Sequence, residues 1–182
     1  FTGRYDRNRT WNRFTSMLSG YPNVNLLFGA STYDYITSKE APSHTARRYD
    51  GGWLESHNSA LMIDGSRRTE IFHKSKLVVA VEQTPYPRIF CKIDDMLGGV
   101  MGRCVGQDEI SLLNVRDIEG NDVKIGCAVC YESVYGEYYT DYIRKGARAM
   151  AIITNDAWWG NTPGYRQHLS YASLRAIETR RA

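Results

Sequence analysis

The feature that most constrains the fold is a short apolar strand that ends at a cysteine and gives way to a helix. Residues 125–129 carry no charged side chain, and they are followed by Cys130, Tyr131 and Glu132 and then by a helical pattern from about Glu137. A strand followed by a helix is the unit of α/β folds, which place their sites at the sheet edge where strands end. The sequence therefore predicts an α/β protein with Cys130 on a sharp turn at such an edge.

A cysteine at this position has two interpretations. Helix N-terminal amides close to the turn would favour the thiolate of Cys130 and could donate hydrogen bonds to an oxyanion, as covalent catalysis requires. Alternatively, Cys130 is a small buried hydrophobe, which is what most free cysteines are. The turn alone leaves both interpretations open.

The cysteines do not predict a metal site or a cofactor. Cys127 and Cys130 have the spacing of a redox pair or of half a zinc site. Cys91 and Cys104 do not supply a second pair of that kind, and no histidine stands nearby at ligand spacing. Residues three apart on a strand also point to opposite faces, so Cys127 and Cys130 would converge only through a turn.

Length and charge narrow the class of protein. The chain has 182 residues, which suits one domain, and its net charge is +3 with basic residues in pairs at most, which argues against nucleic-acid binding. Its apolar runs fall far short of the ~20 residues that span a bilayer. Because the sequence begins at Phe1 and ends within a helical pattern, we expect residues 1–182 to be a single, partial domain of a longer protein.

Hydrophobic periodicity predicts the secondary structure. Helices are expected at about 10–19, 88–97, 137–146 and 164–181, and strands at about 24–33, 58–63, 69–72, 111–115, 122–129 and 149–154. The apolar run 77–81 is interpreted as a further strand, and the polar residues 34–56 as a long loop. Strands paired as hairpins, together with strands followed by helices, indicate an α/β sandwich.

Further polar and aromatic residues lie near the ends of these elements. Lys74 and Glu82 flank the run 77–81, where they could equally be two solvated charges. An Asn-Asp-Ala-Trp-Trp-Gly loop follows the strand that ends near residue 154, and His168 and Arg175 share one face of the last helix. A single histidine on such a face is more often structural than catalytic.

Together and in this order, the segments 58–61, 74–82, 130–132, 155–160, 164–169 and 172–178 resemble the nitrilase, or carbon–nitrogen hydrolase, superfamily. Within it they resemble the nitrilase domain of the apolipoprotein N-acyltransferases. The resemblance extends from about residue 24 to the end of the chain. It implies an α-β-β-α sandwich, here a fragment without its first strand or strands, and transmembrane helices that precede the soluble domain.

The resemblance also implies roles for individual residues. Cys130 matches the nucleophile of a Glu-Lys-Cys triad, and Lys74 matches the lysine that stabilises the tetrahedral oxyanion. The general-base glutamate of that triad is expected upstream of Phe1. The other matched active-site residues are Glu82, Tyr131 and Glu132, and the expected substrate contacts are Trp158, Trp159 and His168.

General chemistry is compatible with these roles. A free thiol is only a few per cent ionised at neutral pH, so Cys130 needs a base or a cation nearby. A buried lysine held by carboxylates remains a point charge for an oxyanion. Lys76 shares a strand face with Lys74, so periodicity cannot choose between them and only the family pattern selects Lys74. Where the family has Pro and Gly, this chain has Val79 and Val81, so we expect a less sharply turned loop before Glu82.

The function implied is acyl transfer at the bacterial inner membrane, with the catalytic domain on the periplasmic face. A phospholipid would donate an acyl chain to Cys130 as a thioester, and the α-amine of the diacylglyceryl cysteine of an apolipoprotein would accept it. One alternative is a soluble amidase or nitrilase with the same triad that passes its acyl group to water. Another is an inactive interaction module that keeps the sandwich and tolerates loss of Cys130.

Overall fold

The computed structural model describes residues 7–99 and 101–182, which form two sheets flanked by helices. Two single-turn 3₁₀ segments, Cys130–Val134 and Asp156–Trp159, follow the last two strands. The helices are α1 (Arg9–Leu18), α2 (Pro87–Met96), α3 (Gly136–Arg144) and α4 (Gly164–Thr179). The strands are β1 (Asn25–Ile36), β2 (Arg47–Tyr49), β3 (Gly52–Asp64), β4 (Thr69–His73), β5 (Leu113–Arg116), β6 (Asp122–Val129) and β7 (Ala149–Ile153).

The first sheet is antiparallel and is built around β3. β1 pairs with β3 over its whole length, while β2 and β4 pair with opposite ends of the other edge of β3. Alternate side chains of a strand point to opposite faces. On one face, Trp11 and Leu18 of α1 pack against Ile63 of β3, so α1 covers the outer side of this sheet.

The second sheet packs against the inner face of the first. Its order is β5-β6-β7, with β5 antiparallel and β7 parallel to β6. Side chains of both sheets form the main core, with α3 supplying two tyrosines; its members include Ala60, Met62, Phe72, Leu113, Cys127, Val129, Tyr138 and Tyr142. α3 contacts β6, and α4 contacts α3 and lines a cavity with β7. The layers therefore run helix, sheet, sheet, helix, and the predicted α-β-β-α sandwich is confirmed.

One predicted loop is wrong in the structure. Residues 34–56 were expected to form a long loop, but β1 continues to Ile36, β3 begins at Gly52, and β2 lies between them. In the pairing of β1 with β3, Tyr35 lies opposite Leu54, and the Tyr35 hydroxyl donates to the Asp50 carbonyl at 2.8 Å. Polar residues dominate this end of the sheet because it is largely exposed, so the apolar alternation that identifies a strand is weak there.

The expected strand at 77–81 is also wrong. β4 ends at His73, and the chain reverses within residues 78–83, where the Glu82 amide donates to the Val78 carbonyl at 2.8 Å and Ala80 has a φ of 70°. Val79 and Val81 are exposed, so this run is not core. The turn is tight even though the sequence has valines at the positions of the family's proline and glycine.

Within residues 7–99 and 101–182, none of the helices combines the length and the apolar character needed to cross a membrane.

Candidate active site

Cys130 lies on a strained turn directly after β6. Its φ is 55°, in the left-handed region that residues other than glycine seldom adopt. The 3₁₀ segment 130–134, called here the cysteine turn, then leads into α3. The Ser133 hydroxyl donates to the Cys130 carbonyl at 3.1 Å. Unfavourable backbone geometry that the surrounding structure maintains is a recurrent property of functional sites, and this turn holds a half-buried thiol at the end of a strand.

Glu132 binds the cysteine turn to the loop that follows β4. One of its carboxylate oxygens accepts from the amides of Ser75 at 2.7 Å and Lys76 at 2.9 Å, and the other accepts from the Val129 amide at 2.8 Å. The Tyr138 hydroxyl donates to the first oxygen at 3.1 Å. The side chain is fully buried, and this burial raises the pKa of its carboxyl group although the hydrogen bonds oppose the shift. Glu132 therefore joins the segment that follows Lys74 to the cysteine turn.

Lys74 is fully buried and forms a salt bridge with Glu82. The Lys74 Nζ donates to Glu82 Oε2 at 2.6 Å, which uses one of the three N–H donors of the ammonium. The Asn58 amide donates to Glu82 Oε1 at 2.7 Å, and the Val78 amide donates to Oε2 at 2.8 Å. Burial alone would raise the pKa of Glu82, but the hydrogen bonds from Lys74, Val78 and Asn58 outweigh it and lower that pKa. Glu82 therefore stays ionised and fixes the cation in place.

The two lysines that periodicity could not separate occupy different environments. Lys74 is buried in the salt bridge, whereas Lys76 is exposed, with its Nζ 5.3 Å from the centre of the Tyr138 ring. The two side chains do not share a strand face, because the strand ends at His73. Of these two lysines, only Lys74 carries a buried charge, and it directly precedes Ser75, whose amide binds Glu132 of the cysteine turn.

His168 supports the cysteine turn from α4. Its Nδ1 donates to the Asp156 carboxylate, with oxygens at 2.9 and 3.0 Å, and its Nε2 lies 3.1 Å from the Cys130 carbonyl and 3.2 Å from the Ser133 hydroxyl. The ring is buried beneath the backbone of the turn. This position suits a residue that orients the turn better than the substrate contact expected from the sequence.

The other expected aromatic site residues are Tyr131, Trp158 and Trp159. Tyr131 is exposed, and its ring centre lies 6.3 Å from those of Tyr135 and His168. Trp158, which is 65% exposed, stacks on Trp159 at 4.2 Å between ring centres. The Trp159 ring lies over Gly164, where a Cβ would come within 2.2 Å of it, so α4 begins with the one residue that admits this packing.

An open cleft lies between the loop that follows β4 and the start of α3. Its volume is about 530 Å³, and one wall comes from the loop after β4 and the other from the start of α3. Ser75, Leu77 and Gln83 line the first wall, and Glu137 and Asp141 belong to the second. Tyr138 lines this cleft and donates to Glu132, so the cleft lies on that side of the cysteine turn.

Sequence reasoning missed the role of Arg175. This buried side chain donates from Nε to the Ser133 carbonyl at 3.0 Å and from Nη2 to the Val134 carbonyl at 3.3 Å, so it holds the end of the cysteine turn. A Cβ at Gly136 would lie 2.3 Å from Arg175 Nη1, which explains the glycine at the start of α3. The available signal was its placement on the same helix face as His168.

The effect of Glu132 on the fold is testable. Glu132→Gln places an amide NH₂ where backbone amides now donate, so we expect the free energy of unfolding to fall by about 2–3 kcal/mol. Urea denaturation measures this change. Glu109→Gln is the control, because Glu109 is exposed and a surface change of this kind costs less than about 0.5 kcal/mol. Equal effects of the two substitutions would contradict the structural role assigned to Glu132.

The site combines the components of covalent acyl chemistry. A thiol on a strained turn can act as a nucleophile, and a buried ammonium on the loop that Glu132 joins to this turn can stabilise the oxyanion of a tetrahedral intermediate. Glu132, His168 and Arg175 hold the turn in position from three directions.

Comparison with known proteins agrees with this geometry. Residues 36–181 match the carbon–nitrogen hydrolase family. The chain is 26% identical to the apolipoprotein N-acyltransferase of Chlorobaculum tepidum, over 94% of this chain and 31% of that protein. It is 30% identical to apolipoprotein N-acyltransferase 1 of Treponema pallidum, over 82% of this chain and 29% of that protein. The chain thus spans about a third of the length of these curated relatives.

A solved structure shows the same fold. Nit3 of Saccharomyces cerevisiae, a member of branch 10 of the nitrilase superfamily, superposes with a TM-score of 0.59 at 13% identity. The match covers 94% of this chain and 48% of Nit3.

Proposed function

Because the chain belongs to the carbon–nitrogen hydrolase family, we propose that it is the catalytic part of an N-acyltransferase that works through a thioester on Cys130. The acyl donor is a phospholipid, and the acceptor is the N-terminal amine of the diacylglyceryl cysteine of an apolipoprotein. The observation that carries this proposal is the buried Lys74–Glu82 pair, which Glu132 holds against the cysteine turn. The names of the curated relatives supply the direction of transfer.

The reaction has two displacements at one carbonyl carbon. In the first, the Cys130 thiolate attacks the phospholipid ester, the C–O bond breaks, and a protonated lysophospholipid leaves. In the second, the acceptor amine attacks the thioester, the C–S bond breaks, and an amide forms as the thiol is regenerated. Each displacement passes through an oxyanion, which Lys74 stabilises by charge and hydrogen bonding. The resemblance assigns the base that takes the thiol proton to a glutamate preceding Phe1.

Exposed aromatic side chains favour a lipid substrate over a small soluble amide. Tyr131 lies in the cysteine turn and Trp158 in the 3₁₀ segment after β7, and both present large exposed rings of the kind found on surfaces that meet lipid or another apolar partner. We propose, as the resemblance implies, that the catalytic domain works at the periplasmic face of the inner membrane. An amidase or nitrilase with the same triad is the alternative, in which water takes the acyl group.

Product analysis separates the two functions. The full-length protein is incubated with a labelled phospholipid and a lipopeptide that carries a free N-terminal amine, and the products are identified by mass spectrometry. We expect the label in an amide on the lipopeptide, with little free fatty acid. Predominant release of free fatty acid would support the hydrolase instead. Absence of any acyl product from a folded protein would support the inactive module.

A further inference from the structure

A second cluster of reactive side chains lies on the outer face of the first sheet. Asp34 of β1, His57 of β3 and His73 of β4 each offer one donor atom, and these atoms lie within 4.8 Å of one another. The register explains the cluster: Thr32 is opposite His57, and Ser59 is opposite His73. Residues two apart on a strand share a face, so the three side chains converge on one side of the sheet.

His57 has an unused nitrogen inside the cluster. Its side chain is only 7% exposed, and its Nδ1 donates to the Val105 carbonyl at 2.8 Å, since a carbonyl oxygen can only accept. In the neutral ring, Nε2 therefore carries a lone pair. This buried atom has no hydrogen-bond partner among the described residues, although it lies 3.2 Å from an Asp34 carboxylate oxygen. A histidine with its Nδ1–H on a backbone carbonyl and its Nε2 free is in the state in which histidine binds metals.

His73 is oriented in a similar way. Its Nδ1 lies 2.7 Å from the Ser59 hydroxyl, which lies 2.6 Å from the Thr32 hydroxyl, so a polar chain fixes the ring. The His73 ring stacks on the His57 ring at 4.1 Å between centres and an angle of 32°. Burial first, and the neighbouring His57 second, lower the pKa of His73, while Asp34 opposes that shift. The stacking and these hydrogen bonds hold both rings side by side, with one donor atom of each within 4.8 Å of an Asp34 carboxylate oxygen.

We propose that Asp34, His57 and His73 bind a divalent transition metal ion of the zinc class. Two imidazole nitrogens and one carboxylate oxygen are a donor set that such ions accept, with further positions left for water. The side chain of Asp34 is half exposed and provides the route of entry. The hydroxyls of Ser59 and Thr32 and the carbonyl of Val105 are the outer partners that orient the ligands.

The proposed ion lies on the opposite side of the first sheet from the acyl-transfer site. Asn58, between His57 and Ser59, points to the other face, where it donates to Glu82. His73 directly precedes Lys74, whose amide donates to the Asn58 carbonyl at 2.8 Å. A bound ion would therefore connect β1, β3 and β4 next to the backbone that positions Lys74. Its role is to stabilise the sheet, and it takes no part in the transfer itself.

Cobalt(II) spectroscopy tests the proposal independently of enzymatic activity. The protein is stripped with a chelator, titrated with Co²⁺ and then challenged with Zn²⁺. We expect one equivalent of Co²⁺ to give visible d–d bands that Zn²⁺ displaces, without the thiolate charge-transfer band that binding to cysteine would produce. Zn²⁺ should also raise the thermal midpoint, since a ligand of the native state stabilises it.

Matched variants assign the binding to these residues. His57→Ala and Asp34→Asn should each weaken Co²⁺ binding by at least about tenfold, whereas His44→Ala, at an exposed histidine outside the cluster, should bind as the wild type does. Circular dichroism establishes whether each variant is folded. If His57→Ala does not fold, Asp34→Asn still tests the proposal, because it changes a ligand on the exposed side of the cluster. Folded wild type that binds no Co²⁺, or undiminished binding by Asp34→Asn, would overturn the proposal and leave only an Asp34–His57 ion pair.

Discussion

Replacing Cys130 by alanine in the full-length protein is expected to abolish acyl transfer, and replacing it by serine to leave almost none. The alanine variant has no atom that can bond to the acyl carbon. The serine variant keeps a nucleophilic atom, but an alcohol is rarely ionised near neutral pH, so it attacks far more slowly than a thiolate. Because Cys130 is half-buried and the turn is held by Glu132, His168 and Arg175, both variants should remain folded.

Intact-mass analysis measures this prediction directly. After incubation with donor phospholipid alone, the wild type should carry one acyl adduct that hydroxylamine removes, as expected for a thioester. Cys91→Ala, which removes a thiol from α2, is the control and should retain the adduct. Cys127 is unsuitable as a nucleophile, because burial raises its pKa to about 12. An adduct that persists in Cys130→Ala would place the nucleophile elsewhere.

Local signals were sufficient to predict much of the fold. The strand that ends at Val129 and the helix that follows it could be predicted from neighbouring residues alone. The spacing of apolar residues there changes from that of a strand to that of a helix within a few residues. The same holds for β7 and α4. Where a strand lies at an exposed end of a sheet, as in β2 and the last part of β1, burial imposes no apolar alternation and the prediction failed. The prediction for 77–81 failed for the opposite reason, since Val79 and Val81 are apolar but exposed.

The candidate site was only partly predictable, because its decisive contacts are non-local. The bond from the Ser75 amide to Glu132 joins residues 57 positions apart, and no periodicity in the sequence encodes it. The family pattern could place Lys74 and Cys130 in one site, but it could not show that Glu132 joins their loops. It also could not show that His168 binds the backbone of the turn.

The proposed metal cluster was missed for a related reason. The cysteine spacings that signal a metal site are short-range, whereas the cluster draws one residue from each of three strands that are brought together by register. His57 and His73 lie 16 positions apart in the numbering, with a hairpin between them. The two histidines can be recognised as a pair of ligands only when the pairing of Ser59 with His73 is known.

The second large effect is expected at Lys74. If its ammonium stabilises the oxyanion, Lys74→Met in the full-length protein should lower the rate of acyl transfer by about 10²–10³-fold, the usual loss for one such donor. Lys76→Met is the matched control, because Lys76 is exposed and contacts the ring of Tyr138 rather than the salt bridge. The rate of thioester formation in a single turnover isolates the step in which the oxyanion forms.

A loss of rate at Lys74 could also arise from damage to the fold, since Lys74→Met leaves the carboxylate of Glu82 unpaired and mostly buried. Breaking a buried pair by removing one partner destabilises a protein by about 3–5 kcal/mol. The double variant Lys74→Met/Glu82→Gln removes both charges, so it should recover part of the lost stability against urea, although the glutamine NH₂ faces a donor of Asn58 or Val78, and it should remain as slow as the single variant. Recovery of the rate together with stability would show that Lys74 supports the loop only. Equal losses of rate in Lys74→Met and Lys76→Met would show that neither lysine has the specific role assigned to Lys74.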